Sequence, residues 1–350
     1  MSEFKNTRQY RIRWQLLATV SAIALLGSGT NEALAADNDR PPLWIEVDGQ
    51  FSQQQTGQEA FLPPFMLASP FNGASQTEME QGPPKIWDRG AKISFQPDGS
   101  DWILSLGIRY GKSNRNEVRD GHPTTANFTK YSGKHYTAYQ NFAAQSSEGH
   151  TILDFQVGKD VGLGRFGSDG SSVISAGIRI AQFNARSHVV VKSQPTNTNA
   201  YNPYNKFYAS FADKRKFSGI GPSLSWDASA NLTGNLSVGS ITVDWGVNGA
   251  VLFGRQSMAA QHQTSVQHWN YFHRTAGYHY SASPSRRKSV TVPNLGGFAG
   301  VSWRYADAKI SFGYRADMFF GAIDGGIDAR KSEDRGFYGP FAGISVGVGD

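Results

Sequence analysis

The sequence predicts an all-β fold: an antiparallel transmembrane β-barrel of about ten strands, with twelve as the upper count, short periplasmic turns and long extracellular loops. Three observations predict it. One short pattern occurs three times, as Ser105-Leu106-Gly107-Ile108-Arg109-Tyr110, Ser175-Ala176-Gly177-Ile178-Arg179-Ile180 and Ser311-Phe312-Gly313-Tyr314-Arg315-Ala316. Side chains alternate faces along a strand, so Ser, Gly and Arg share one face and the apolar residues share the other. The connections between strands alternate between short and long. The chain opens like an exported protein, yet no later segment approaches the about 18 apolar residues of a membrane helix. A closed antiparallel barrel is the sheet that spans a membrane under those conditions.

The first element is the export signal. Lys5, Arg8, Arg11 and Arg13 form a basic start, an apolar run extends from Trp14 to about Gly27, and Ala33-Leu34-Ala35 offers a small-x-small cleavage site. Residues 1–35 therefore read as a cleaved signal peptide and 36–350 as one barrel domain. Removing the signal lowers the formal charge from +6 to about +4, a mild bias and no nucleic-acid footprint. Cysteine is absent, so neither a disulfide nor a thiolate metal site is available. Glycine (39 residues) and aromatics (13%) are abundant, which suits strands that bend and side chains that mark lipid–water boundaries.

The strands follow in order at about 42–51, 87–96, 102–111, 150–161, 172–183, 216–228, 240–254, 290–305, 309–319 and 337–349. Short or medium turns join the second to the third, the fourth to the fifth, the sixth to the seventh and the eighth to the ninth. Pro97-Asp98-Gly99-Ser100-Asp101 and Ala306-Asp307-Ala308 are examples. Long polar connections near 52–86, 112–149, 184–215, 255–289 and 320–336 join the other pairs. Outer-membrane barrels alternate in this way, and an even strand count returns both termini to the periplasmic side. The lipid face carries Leu104, Leu106 and Ile108 on the third strand and Ile241, Val243, Val247, Val251 and Phe253 on the seventh. Interface aromatics are expected at Trp44, Trp102, Tyr110, Trp226, Trp245, Trp303 and Tyr305.

Four stretches in the second half carry a family resemblance: Phe217-Ser218-Gly219-Ile220-Gly221-Pro222, Trp245-Gly246-Val247-Asn248-Gly249-Ala250, Gly313-Tyr314-Arg315-Ala316-Asp317 and Gly339-Pro340-Phe341. In order and spacing they resemble the Legionella-type outer-membrane proteins, a family described as pore-forming. The resemblance covers roughly residues 150–350 and implies a pore in a Gram-negative outer membrane. It brings no catalytic residues. Barrels of this kind usually end on an aromatic residue read by the barrel assembly machinery. This chain ends Val348-Gly349-Asp350, which keeps the alternation and departs at the last residue.

If the apolar faces meet lipid, the lumen collects Arg109, Arg179, Arg304 and Arg315 against Asp154, Asp244 and Asp317, with small Ser and Gly residues between them. An eight-stranded barrel is filled by its side chains and about 16 strands leave a channel, so ten lies nearer the filled end. The residues alone leave two readings. Facing charges line a narrow passage for small polar solutes or ions, or the same charges plug a barrel that acts through its loops as an adhesin or structural protein. The resemblance favours the pore. The basic clusters Lys214-Arg215-Lys216 and Arg286-Arg287-Lys288 stand at interface height and are expected to contact lipopolysaccharide phosphate.

Other motifs give less. Gly162-Leu163-Gly164-Arg165-Phe166-Gly167 matches a dinucleotide fingerprint, but no helix pattern follows it and it reads as a turn. His262, His268, His273 and His279 crowd one aromatic-rich connection without metal-ligand spacing, and no metal or cofactor is assigned. Asp324, Asp328 and Asp334 with these histidines form no recognisable catalytic set, so an enzyme is not expected. Outer-membrane lipid is the expected surround, and the oligomeric state is not written in the sequence.

Overall fold

The computed structural model describes residues 42–55, 85–113, 116–126, 136–161, 171–195, 204–235, 239–270, 273–325 and 332–349. The expected signal peptide, most of the first long connection and the Gly162–Gly167 turn lie outside the described residues. The strands are β1 (Leu43–Gln55), β2 (Lys85–Phe95), β3 (Trp102–Ser113), β4 (Asn116–Ala126), β5 (Tyr136–Asp160), β6 (Ser171–Pro195), β7 (Tyr204–Asn235), β8 (Gly239–Asn270), β9 (His273–Ala282), β10 (Ser285–Tyr305), β11 (Ala308–Asp324) and β12 (Ser332–Val348).

These twelve segments make ten staves. β3 pairs with residues 149–159 of β5, and β4 carries the same line on against residues 136–146. In the same way β10 pairs with the lower part of β8 and β9 with its upper part, the two being separated by Ser283 and Pro284. The staves run β1-β2-β3-β5-β6-β7-β8-β10-β11-β12, every pair antiparallel. β12 then pairs back with β1, Leu43 opposite Val348 and Gln50 opposite Phe341, which closes the sheet. A closed sheet leaves no edge with unpaired backbone groups, the condition for placing strands in lipid.

The repeated hexapeptides run through this wall as their alternation requires. Leu106, Ile178 and Phe312 point outward at 40%, 49% and 62% exposure. Arg109, Arg179 and Arg315 point inward from the same strands and find carboxylates there. The outer face forms an apolar belt, for example Ile241, Val247, Val251 and Phe253 on β8 and Leu295, Val301 and Trp303 on β10. Burying such a belt in hydrocarbon removes a large apolar surface from water.

One feature of the sequence reading is corrected. The long connections placed at 112–149, 184–215 and 255–289 are largely strand. β7 and β8 are each 32 residues long, and a bilayer span needs only about 9–11. Hairpins built from β4–β5, β6–β7 and β8–β9 therefore rise well beyond the apolar belt as ladders. The physical reason is that a ladder with water outside needs no apolar outer face, so the lipid-facing signal fades while the pairing continues. The histidine-rich stretch illustrates this: it is a strand pair, with His262 opposite Ala282 and His268 opposite Thr275.

Candidate functional site

The inner face of the barrel is the candidate site, and it is stratified along the axis. The lowest layer lies near the short-turn end. Lys309 Nζ meets Asp244 Oδ2 at 2.8 Å, and Ser302 donates its hydroxyl hydrogen to the same carboxylate. Arg304 lies over the Trp44 ring, 4.9 Å from its centroid.

The second layer holds the three arginines of the repeated motif. Arg109 Nη1 donates to Asp317 Oδ2 at 2.5 Å. Arg179 forms a fork on Asp154, with Nε to Oδ1 at 2.6 Å and Nη2 to Oδ2 at 3.1 Å. Its Nη1 also donates to Asn248 Oδ1 at 2.8 Å and to Asn294 Oδ1, so the guanidinium ties β5, β6, β8 and β10 together. Arg315 donates to Asp48 Oδ2 at 2.7 Å and stacks 4.7 Å from the Phe341 centroid. Paired and hydrogen-bonded charges of this kind are tolerable where water is scarce. Space for them comes from glycine: a Cβ on Gly296 would overlap Asp317 Oδ1, and one on Gly111 would overlap Asp88 and His150.

Above the arginines the lumen changes character. Phe183, Phe217, Phe319 and Phe337 meet from β6, β7, β11 and β12, each 5% exposed or less. Phe183 lies 4.8 Å from Phe319 and 5.8 Å from Phe337 between ring centroids, and it stacks on Phe217 at 5.6 Å. β6 and β12 are five staves apart in a ring of ten, so the Phe183–Phe337 contact crosses the full lumen. Ile86, Ile152, Leu252, Val292 and Ile323 complete the apolar layer.

A further charged layer caps it. Arg215 meets Asp213 at 3.0 Å and Glu333 at 3.2 Å. Arg335, 1% exposed, lies 3.7 Å from Glu148 and 3.9 Å from Glu333. Arg286 forms an ion pair with Asp324, and Lys288 Nζ donates to Ser332 Oγ at 2.9 Å.

The seven charged residues expected in the lumen, Arg109, Arg179, Arg304, Arg315, Asp154, Asp244 and Asp317, all project inward. Among the interface aromatics, Trp102, Tyr110, Trp226, Trp245, Trp303 and Tyr305 project outward, and Trp102 and Trp303 stay about half exposed. Trp44 is a correction: it shares the face of Glu46 and Asp48 and stacks with Arg304 inside. The basic clusters are corrected too. Consecutive residues on a strand cannot face the same side, so Arg215, Arg286 and Lys288 point into the lumen while Lys214, Lys216 and Arg287 point out. The sequence reading missed the phenylalanine layer and the charges above it. The signal is present, since Arg335, Phe337, Gly339 and Phe341 share one parity, but the four phenylalanines stand at the outer ends of the expected strands and the charges beyond them fall in the expected connections.

Among curated protein sequences, none matches this chain. Among solved structures, the transport unit of the autotransporter AIDA-I from Escherichia coli is similar at 8% identity, covering 94% of this chain and 97% of that chain, with a TM-score of 0.31. The CymD monoaromatic hydrocarbon channel is similar at 8% identity over 89% of this chain and 90% of its own, with a TM-score of 0.23. The P. putida toluene transporter TodX follows at 10% identity over 90% and 91%, with a TM-score of 0.20. The family model described as the Legionella pneumophila major outer membrane protein precursor matches residues 95–348. That match covers most of the closed ten-stave wall, and the chain belongs to the Legionella major outer membrane protein family as an outer-membrane β-barrel.

Proposed function

We propose that this barrel is a pore-forming protein that passes small polar solutes or ions by passive diffusion, and that its passage is shut at the phenylalanine layer in the conformation described. The observation that carries the reading is the lower lumen. There Arg109, Arg179 and Arg315 stand among Ser105, Gly107, Ser175, Gly177, Ser311 and Gly313, a polar wall with small residues between its charges. Selectivity would follow from lumen width and the balance of facing charges. An apolar constriction between two charged layers is a known way to gate such a path, because water leaves a narrow apolar segment. The family resemblance supports the same reading.

Planar-bilayer recording under a salt gradient tests it. Folded protein is expected to give brief, small openings with a defined reversal potential. Folded protein that stays silent at every voltage would count against a pore.

A second reading has one observation in its favour: opposite walls touch through Phe183 and Phe337, so the lumen is filled from side to side. The protein would then be a non-conducting surface barrel that acts through its tall hairpins. Shortening β6–β7 and β8–β9 to the top of the apolar belt separates the two. A pore keeps conducting, whereas an adhesin loses its binding.

A further inference from the structure

The outward residues above the apolar belt are unevenly charged. On β6, β7, β8 and β10 they include Arg186, Lys214, Lys216, Arg255 and Arg287. The register brings them together: Arg186 is opposite Lys214, Lys216 and Arg287 both flank Ser257, and Arg255 is opposite Ser218 and Ser289. Lys214 lies close enough to Lys216 and Arg186 to feel both as like charges. Among the described residues, no Asp or Glu faces outward on this part of these four strands. Over the same height the outer faces of β11, β12 and β1 carry no Lys or Arg.

Clustered like charges with no acid beside them are unfavourable unless something anionic covers them. Directly below lie Ile178, Ile220 and Phe253, each about half exposed on the outer wall. The covering group must therefore carry negative charge at the water boundary and apolar chains beneath it. Four neighbouring strands span about 14 Å, wide enough for a headgroup with more than one phosphate. We propose that this face binds the phosphorylated headgroup of an outer-leaflet glycolipid of the lipid A type, its phosphates on the five cations and its acyl chains against the belt. Forked guanidinium–phosphate contacts suit the three arginines, and the two lysines act as point charges. The inference is independent of whether the lumen conducts.

Native mass spectrometry of the whole folded barrel in detergent, titrated with diphosphorylated lipid A, tests it. The wild type is expected to retain lipid A and to release it when the lipid is dephosphorylated. Replacing all five cations by Ser should weaken retention at least about ten-fold. Replacing Lys85, Arg89 and Lys112 by Ser removes three cations from the outer face of the β2–β3 wall and should leave retention within about two-fold. Heat-modifiable migration reports folding; if the five-fold variant does not fold, Lys214→Ser/Lys216→Ser is read in its place, with the same direction expected. Equal retention by the site variant and the wild type overturns the proposal. So does equal binding of dephosphorylated lipid A, or displacement of the lipid by millimolar inorganic phosphate, which would make the site one for free anions.

Discussion

Among the described residues Asp317 is held by one short ion pair, in a position almost closed to solvent. Its carboxylate is 4% exposed and takes Arg109 Nη1 at 2.5 Å. Removing one partner of a buried pair leaves the other charge uncompensated, which costs more than the pair itself contributes. Asp317→Asn is therefore expected to destabilise the barrel by about 3 kcal/mol. Urea unfolding in lipid vesicles, followed by tryptophan fluorescence, measures this. Replacing both partners by apolar residues, Arg109→Met with Asp317→Leu, should return stability to within about 1 kcal/mol of wild type. A double variant as unstable as the single one would show that Asp317 acts through packing and not through charge. Gly296→Ala offers an independent check, because its Cβ would occupy the position of Asp317 Oδ1 and should reproduce part of the Asp317→Asn loss.

At the scale of the strand, two solvents write the alternation. Ile178 and Arg179 are neighbours in sequence and lie on opposite sides of the wall. Ile178→Arg puts a charge in hydrocarbon and is expected to cost about 2–4 kcal/mol near the bilayer midplane, less towards either interface. The outward residue Ser218, above the belt, should accept Arg with a change of less than about 1 kcal/mol. Equal costs at both positions in a vesicle refolding titration would mean that the apolar belt does not sit in lipid. This contrast explains which parts of the fold could be read from the sequence. Between Trp102 and Tyr110, or Ile174 and Ile180, lipid forces every second residue to be apolar and the face of each side chain follows. Above the belt, residues such as Lys214, Arg215 and Lys216 meet water or partner charges on either side of the wall. Their composition looks the same whether they form a loop or a ladder, so three hairpins were invisible. Trp44 is ambiguous for a related reason: an aromatic ring serves an interface or an arginine equally well, and only the parity with Glu46 and Asp48 decides between them.

For the whole molecule, the arrangement of layers matters more than any single pair. The ion pairs below and above the phenylalanines are polar groups that water can hydrate once the lumen widens, whereas the apolar layer between them offers water no partner. Phe183 and Phe337 come from opposite staves, so separating those two rings opens the longest line across the barrel. Phe183→Ser with Phe337→Ser should wet the layer and convert brief openings into long-lived ones in bilayer recordings. Each large-to-small change also removes buried apolar contact worth about 3–5 kcal/mol, so the recording is made on material shown to be folded by its heat-modifiable migration. Phe337→Leu keeps the layer apolar and nearly filled, and it should retain the wild-type closed time. If wetting the layer lengthens openings and the leucine variant does not, the phenylalanines are the gate and the charged layers are its vestibules. If the folded double-serine barrel passes no current, the ion pairs themselves fill the lumen, and the function must lie in the hairpins that stand above the membrane.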